Sequence, residues 1–149
     1  MALAERRAEV TWTGDLTKGA GQLSLQSSGI AREVPVTWAS RTEAPDGKTS
    51  PEELLAAAHA SCYAMALSAA LGRRGSPPEM LEVTAVASLE RADSGIRVSA
   101  MDLTVRGRVP GLDQPTFQEV ARAAEQACPI SNAIRNNVEI RLHASLEGA

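Results

Sequence analysis

The sequence has few aromatic residues and no excess of positive charge. Two Trp, one Tyr and one Phe are the only rings in 149 residues, and the formal net charge is −3. Proteins that bind nucleic acids present basic faces to the phosphates and stack aromatic side chains on the bases. The composition therefore argues against a nucleic-acid partner.

Several motifs are also missing. The sequence contains no Gly-rich dinucleotide loop, which argues against a bound nicotinamide or flavin, and no close pair such as C-x-x-C that would mark a metal site. We therefore predict neither a cofactor nor a metal. The first residues, Met-Ala-Leu-Ala-Glu-Arg-Arg, lack the apolar core of a secretory signal, so we expect a cytoplasmic protein.

One uncharged run, residues 54–71, reaches the ~17–25 residues that a membrane-spanning helix needs. Eight of its residues are Ala, and His59, Ser61 and Cys62 add polar atoms. This composition favours a helix packed on all sides in the core of one domain over a membrane span.

Hydrophobic periodicity predicts the element order β-β-β-α-β-β-α-α-β over a single domain, residues 1–149. This order indicates an α+β fold in which an antiparallel sheet packs on a long buried central helix. The third strand carries Val34, Val36 and Trp38, with Pro35 indicating an edge position. A parity shift between Ala100 and Met101 predicts a bulge in the fifth strand.

Two sets of capping signals place the helices. Ser50-Pro51-Glu52-Glu53 predicts an N-cap at Ser50 and a capping box with Glu53, in a helix that ends at Gly72. A second helix opens at Pro115 and is interrupted by Pro129. Cys128, which precedes that proline, is pushed out of helical geometry and becomes an N-cap for a short helix reaching about Asn136.

The two cysteines, Cys62 and Cys128, lie far apart in sequence, so only a folded chain can pair them. In a reducing compartment, a cysteine pair that oxidises is more often catalytic than structural. The alternative is that both are small core residues, as free cysteines often are. Because burial raises a thiol pKa from its ordinary ~8.5, a reactive Cys62 needs a nearby cation.

Several segments together form a recognisable pattern: Arg41, residues 50–54, residues 57–62 and 65–67 around Cys62, and Ala-Cys-Pro-Ile-Ser at 127–131. In these segments the chain resembles the osmotically inducible protein C and organic hydroperoxide resistance (OsmC/Ohr) family. The loop position of the arginine is similar to that in the OsmC branch. The resemblance implies an OsmC-like intertwined homodimer in which Cys62 is peroxidatic, Cys128 is resolving, and Arg41 and Glu52 form a network with the reactive thiol.

A geometric argument also indicates a dimer. Glu52 and Cys62 are ten residues apart, and a straight helix rises ~15 Å over that length. Two copies of the helix packed antiparallel about a two-fold axis would bring Glu52 of one chain to Cys62 of the other.

We therefore expect a thiol-dependent peroxidase that reduces organic hydroperoxides, and more weakly hydrogen peroxide, to alcohols or water. Met65, Tyr63 and Ile130 are expected to favour alkyl substrates. The resemblance implies a dithiol reductant such as dihydrolipoamide on a lipoylated protein. Two alternatives remain open: a non-catalytic dimeric protein that binds a small molecule and has structural cysteines, and a zinc site. The zinc site would use His59, Cys62, Cys128 and His143; His59 is also a candidate base for Cys62.

Overall fold

The computed structural model describes residues 1–148. Its elements follow the predicted order, with one addition, a short helix before the long one. The chain falls into two compact units: unit 1, residues 1–54, and unit 2, from Leu55 onward. That residues 1–149 form one functional domain stays a prediction.

Unit 1 contains a three-stranded antiparallel sheet built from β1 (Glu9–Thr13), β2 (Ala20–Ser24) and β3 (Val34–Val36). β3 is an edge strand, which is the position that Pro35 predicted. In the centre of the sheet Trp12 pairs with Gly21. A Cβ on Gly21 would lie 2.9 Å from the Trp12 ring and 2.8 Å from Val36, so glycine is what lets these two side chains meet.

The added element is the helix α1 (Trp38–Thr42), and it corrects the prediction that Trp38 continues the third strand. Thr37 accepts a hydrogen bond from the Ser40 amide at 3.0 Å, and the Ser40 hydroxyl accepts one from the Thr37 amide at 3.0 Å. This reciprocal capping box starts a helix at Trp38. Local capping therefore overrides the strand-like alternation.

The long helix α2 runs from Pro51 to Arg73. Ser50 is its N-cap, as predicted, because its hydroxyl accepts the Glu53 amide at 3.1 Å. The Glu53 carboxylate does not close the predicted box; it accepts the Thr49 hydroxyl at 2.7 Å. The helix also continues past Gly72. It ends in a Schellman motif at Gly75 (φ +83°), where the Ser76 amide donates to Leu71 and the Gly75 amide donates to Gly72.

Unit 2 contains the second sheet, formed by β4 (Met80–Ala92), β5 (Gly95–Arg108) and β6 (Glu139–Leu146). β4 and β5 form a long antiparallel hairpin, and Ser99 is the extra residue of a bulge between the pairs Ser88–Ala100 and Leu89–Val98. The bulge lies one residue before the predicted position.

The second sheet is mixed, because β6 pairs with β5 in parallel. The connection between them passes through α3 (Gln114–Ala127) and α4 (Pro129–Ile134), and such a helical crossover is what a parallel pair requires. The prediction of an antiparallel sheet therefore holds for the hairpin and is wrong for β6. α3 approaches the sheet closely, since a Cβ on Gly107 would lie 2.7 Å from the Phe117 ring.

α2 buries one face only. Tyr63, Leu67 and Leu71 are fully buried in the core of unit 2, and His59 continues this stripe one turn earlier. The opposite face, which includes Ser61 and the 68% exposed Met65, is open in the single chain. The expectation of a helix enclosed on all sides is therefore wrong for one chain. By length and composition α2 is also able to cross a membrane, although its buried stripe packs on the unit 2 core.

Candidate active site

The two cysteines meet in unit 2. Cys62 lies on α2, and Cys128 lies at the break between α3 and α4, where it caps both helices. Their sulfur atoms are 3.3 Å apart although 66 residues separate them in sequence, and both are free thiols. A disulfide has an S–S length near ~2.05 Å, so roughly 1.3 Å of approach closes the bond. The fold therefore brings the two thiols into direct contact.

Cys128 adopts the extended backbone that the following proline predicted, with φ −70° and ψ 119°. Its sulfur accepts the Ser131 amide at 3.5 Å, which is an N-cap interaction. The side chain is fully buried, whereas Cys62 is partly exposed. Of the two sulfurs, Cys62 is therefore the one that a molecule in solution reaches first.

The surroundings of Cys62 favour the thiol over the thiolate. Burial raises the pKa of Cys62 above its usual value, and the adjacent Cys128 thiol raises it further. A hydrogen bond from the Ile130 amide acts in the opposite direction but is outweighed. Among the residues that the structure describes, the groups that shift this pKa include no cation, although Arg73 lines the cleft beside Cys62. A reactive thiolate requires a positive charge that acts on the Cys62 sulfur.

Unit 1 contains the other predicted residues, Glu52 in the first turn of α2 and Arg41, which lies on the helix α1 and not in the expected loop. The Arg41 Nε and Nη2 atoms donate to Glu52 Oε1 at 3.0 and 2.8 Å, and Nε also reaches Oε2 at 3.2 Å. The Glu52 side chain is only 9% exposed and that of Arg41 is 30% exposed. The Arg41 guanidinium also lies over the Trp38 ring, 5.9 Å from its centroid. These contacts fix the guanidinium in one orientation.

The Arg41–Glu52 ion pair and the Cys62–Cys128 thiol pair each lie beside an apolar depression. In unit 1, a groove of about 390 Å³ next to Arg41 is lined by side chains that include Trp12, Trp38 and Leu54. In unit 2, a cleft of about 460 Å³ next to Cys62 is lined mainly by Met65 and neighbouring Ala side chains, with Arg73 as its charged residue. Both depressions are suited to alkyl groups.

Comparison with known proteins identifies the family. The family described as OsmC-like protein matches residues 44–143. The chain belongs to the OsmC-like family.

The OsmC-like chain is 35% identical over 135 residues to the peroxiredoxin OsmC of Escherichia coli, covering 91% of this chain and 93% of that protein. It is 30% identical over 95 residues to the organic hydroperoxide resistance protein of Xanthomonas axonopodis pv. citri, covering 63% and 65%. The crystal structure of the organic hydroperoxide resistance protein OhrB of Bacillus subtilis superposes with a TM-score of 0.74 at 27% identity, covering 93% and 98%. The α+β fold is therefore OsmC-like, as predicted.

The structure corrects one expectation about the substrate pocket of this OsmC-like chain. Tyr63 does not line a pocket, because it is fully buried and its hydroxyl donates to the Ala121 carbonyl at 3.0 Å. Met65 lines the cleft beside Cys62. Ile130 packs against the core and contributes its backbone amide to the Cys62 sulfur.

His59 contacts a residue that the sequence reasoning did not consider. Its Nε2 atom lies 2.7 Å from the Ser131 hydroxyl, and both residues are fully buried. Desolvation lowers the pKa of His59, so the imidazole is neutral near pH 7. His143 is exposed on β6, and within residues 1–148 no three His, Cys, Asp or Glu side chains cluster as metal ligands. Ser131 had no signal in sequence beyond its place in the Cys128 motif.

Proposed function

We propose that this OsmC-like protein is a cysteine-based peroxidase that reduces organic hydroperoxides to alcohols and, more weakly, hydrogen peroxide to water. The observation that carries the proposal is the 3.3 Å distance between the Cys62 and Cys128 sulfurs. The names of the relatives support it, since one is a peroxiredoxin and others are organic hydroperoxide resistance proteins.

The reaction begins at Cys62, the more accessible sulfur. Its thiolate attacks the terminal oxygen of the hydroperoxide, the O–O bond breaks, and the alkoxide takes a proton and leaves as an alcohol. Cys62 is then a sulfenic acid. The Cys128 sulfur attacks the Cys62 sulfur, the S–O bond breaks, and hydroxide leaves as water with the Cys128 proton. The product is a Cys62–Cys128 disulfide, formed without a bound cofactor.

An external dithiol closes the cycle. One of its thiolates attacks the disulfide, its second thiol completes the exchange, and two electrons and two protons return to Cys62 and Cys128. Dihydrolipoamide on a lipoylated protein has the required chemistry. Because Cys128 is fully buried, the incoming thiolate attacks the Cys62 sulfur, and Cys128 is the leaving group.

Arg41 supplies the positive charge in this proposal, and Glu52 orients it. A guanidinium close to Cys62 stabilises the thiolate and polarises the peroxide; lowering the thiol pKa by ~2 units corresponds to roughly 2.7 kcal/mol. The bidentate contact with Glu52 supports this role because it leaves the guanidinium little freedom.

We further propose that the site is composite, with Arg41 and Glu52 of one subunit completing the thiol pair of the other in an intertwined homodimer. The ten residues between Glu52 and Cys62 on the unbroken helix α2 support a second subunit, since such a stretch rises ~15 Å. The open face of α2 also supports it. Met65 and the small side chains around it form an apolar surface on which a second copy of the helix packs closely.

Thiol titration tests the proposal. The fully reduced protein is expected to lose two thiols on addition of one equivalent of cumene hydroperoxide and to recover both with dihydrolipoamide. Cys128→Ser is the matched control and is expected to lose its single remaining thiol to sulfenic acid. An unchanged thiol count in the wild-type protein would reject the peroxidase and favour the non-catalytic binding protein with structural cysteines.

A further inference from the structure

The helix that carries Cys128 at its start is short. α4 has six residues, too few to be stable on its own, so its position depends on contacts with its neighbours. Two polar contacts fix it. At its C-terminal end, Arg135 donates to Glu125 of α3 at 2.9 Å. In its first turn, the Ser131 hydroxyl meets His59 Nε2 of α2 at 2.7 Å.

The His59–Ser131 contact joins the two helices that carry the cysteines. His59 lies one helical turn before Cys62 on α2, and Ser131 lies one turn after Cys128 on α4. The Ser131 amide donates to the Cys128 sulfur at 3.5 Å, so one residue binds both the histidine and the sulfur. The chain of contacts therefore runs from α2 through His59 and Ser131 to Cys128.

A histidine at position 59 is unfavourable for stability alone. The ring is fully buried, and its Nδ1 atom has no hydrogen-bond partner among residues 1–148. A buried unpaired ring nitrogen costs free energy that an apolar side chain of similar shape avoids. The ring atom that contacts α4 is Nε2, through the Ser131 hydroxyl.

We propose that His59 is a positioning residue for disulfide formation: through Ser131 it holds α4 so that the Cys128 sulfur stays within reach of Cys62. This inference rests on the proposed function for its role in turnover. In that step the Cys128 sulfur bonds to the sulfur of the Cys62 sulfenic acid and water leaves. If α4 moves freely, the sulfenic acid persists and a second hydroperoxide oxidises it to the sulfinic acid.

The chain offers matched variants. His59→Asn places an amide where Nδ1 lies and leaves the Nε2 position empty, whereas His59→Gln places an amide atom at the Nε2 position. Ser131→Ala removes the same contact from the other helix. Tyr63→Phe is the control, because Tyr63 is also fully buried on α2 and its hydroxyl bonds to α3 and not to α4.

The first measurement is the equilibrium of the dithiol pair with oxidised and reduced dithiothreitol. Two electrons and two protons pass from Cys62 and Cys128 to oxidised dithiothreitol, and the equilibrium constant reports how closely the protein holds its thiols. For His59→Asn and Ser131→Ala we expect this constant to fall about tenfold, with His59→Gln within about threefold of wild type. Equal losses in His59→Asn and Tyr63→Phe would overturn the inference, as would an unchanged constant in Ser131→Ala.

The second measurement is the fraction of Cys62 converted to sulfinic acid, read by mass spectrometry across a range of cumene hydroperoxide concentrations. We expect His59→Asn to over-oxidise at about one tenth of the wild-type concentration of cumene hydroperoxide. An over-oxidation curve identical to that of wild type would contradict the positioning role. If the wild-type protein does not react with hydroperoxide, the proposed peroxidase activity is rejected. The positioning role is still tested in that case, because the equilibrium with dithiothreitol requires no hydroperoxide.

Discussion

The two regions that carry the proposed chemistry are incomplete in different ways. In unit 1 the charges are paired: Arg41, which is partly exposed, contacts both carboxylate oxygens of the buried Glu52. In unit 2 the sulfurs are arranged, 3.3 Å apart, but burial raises the pKa of Cys62. The comparison separates two properties of the thiol pair, the distance between the sulfurs and the ionisation of Cys62. The packing of unit 2 sets the distance, whereas within the described residues no cation lowers the pKa of Cys62.

The largest effect is expected from removing the attacking sulfur. Cys62→Ser should lower peroxidase turnover at least ~1,000-fold, because a serine hydroxyl is not ionised near pH 7 and cannot form a sulfenic acid. Steady-state reduction of cumene hydroperoxide measures it. Ser94→Ala, at an exposed turn position between β4 and β5, is the control and should retain parental activity. Turnover by Cys62→Ser at the parental rate would remove the mechanism.

The second largest effect is expected on the rate of Cys62 oxidation, and it tests whether Arg41 supplies the positive charge that stabilises the thiolate. Arg41→Met should lower the rate of Cys62 oxidation at pH 7 about 100-fold, because burial without the guanidinium leaves the pKa of Cys62 above its usual value. Since only the thiolate reacts, the variant's rate should then rise ~10-fold per pH unit from pH 6 to pH 8.5, while the wild-type rate levels off at lower pH.

Arg141→Met is the matched control for this prediction, because Arg141 forms a comparable ion pair with Asp102 on the second sheet. The pH dependence of Cys62 oxidation in Arg141→Met should match that of the wild-type protein. Stopped-flow mixing with limiting hydroperoxide supplies the rates. If Arg41→Met and wild type have superimposable pH profiles, the guanidinium does not set the reactivity of Cys62.

A smaller effect on turnover is expected from a substitution on the open face of α2, because it acts through the association of subunits. Met65→Lys places a charge where we propose that a second copy packs, so it should shift the protein towards monomer and reduce turnover about tenfold. Sedimentation velocity across a concentration series measures the association. Ile30→Lys, an equally drastic change at an 82% exposed loop position, is the control. A monomeric variant with full activity would show that the site is not shared between subunits.

The smallest effect concerns stability. The folded-state pKa of His59 is lowered by desolvation from its ordinary 6.5, so the unfolded chain binds a proton more readily than the folded one. Stability should therefore be complete above about pH 6.5 and fall below it, with a slope of at most ~1.4 kcal/mol per pH unit. Urea unfolding at pH 5 and pH 7.5 measures it. His59→Gln should flatten this dependence; a slope in His59→Gln equal to that of the wild-type protein would contradict the assignment.

Local signals in the sequence predicted several features of the fold correctly. The Ser50 cap, the edge position of Pro35 and the helix break at Cys128 depend on residues adjacent in the chain. Helix α1 also depends on residues adjacent in the chain, because Thr37 and Ser40 form its capping box, so a local signal for it exists in the sequence. The alternation of Val34, Val36 and Trp38 predicts a strand through Trp38, and the capping box overrides it.

Features that depend on distant contacts were not predictable in this way. The pairing of β6 with β5 follows from the crossover, and His59 finds Ser131 across 72 residues. The burial of Tyr63 was missed for a similar reason, because which face of an Ala-rich helix packs inward is decided by its neighbours. For the candidate site, the sequence predicted which residues to consider, and the fold supplied the distances within each unit.

The position of Cys128 between two helices has a consequence for repeated oxidation and reduction. Its backbone is extended, and its side chain belongs to the interior of neither helix. A shift of about 1 Å in the sulfur therefore breaks no helical backbone hydrogen bond. We expect the oxidised and reduced forms to have nearly identical far-ultraviolet circular dichroism, so that each catalytic cycle proceeds without melting secondary structure.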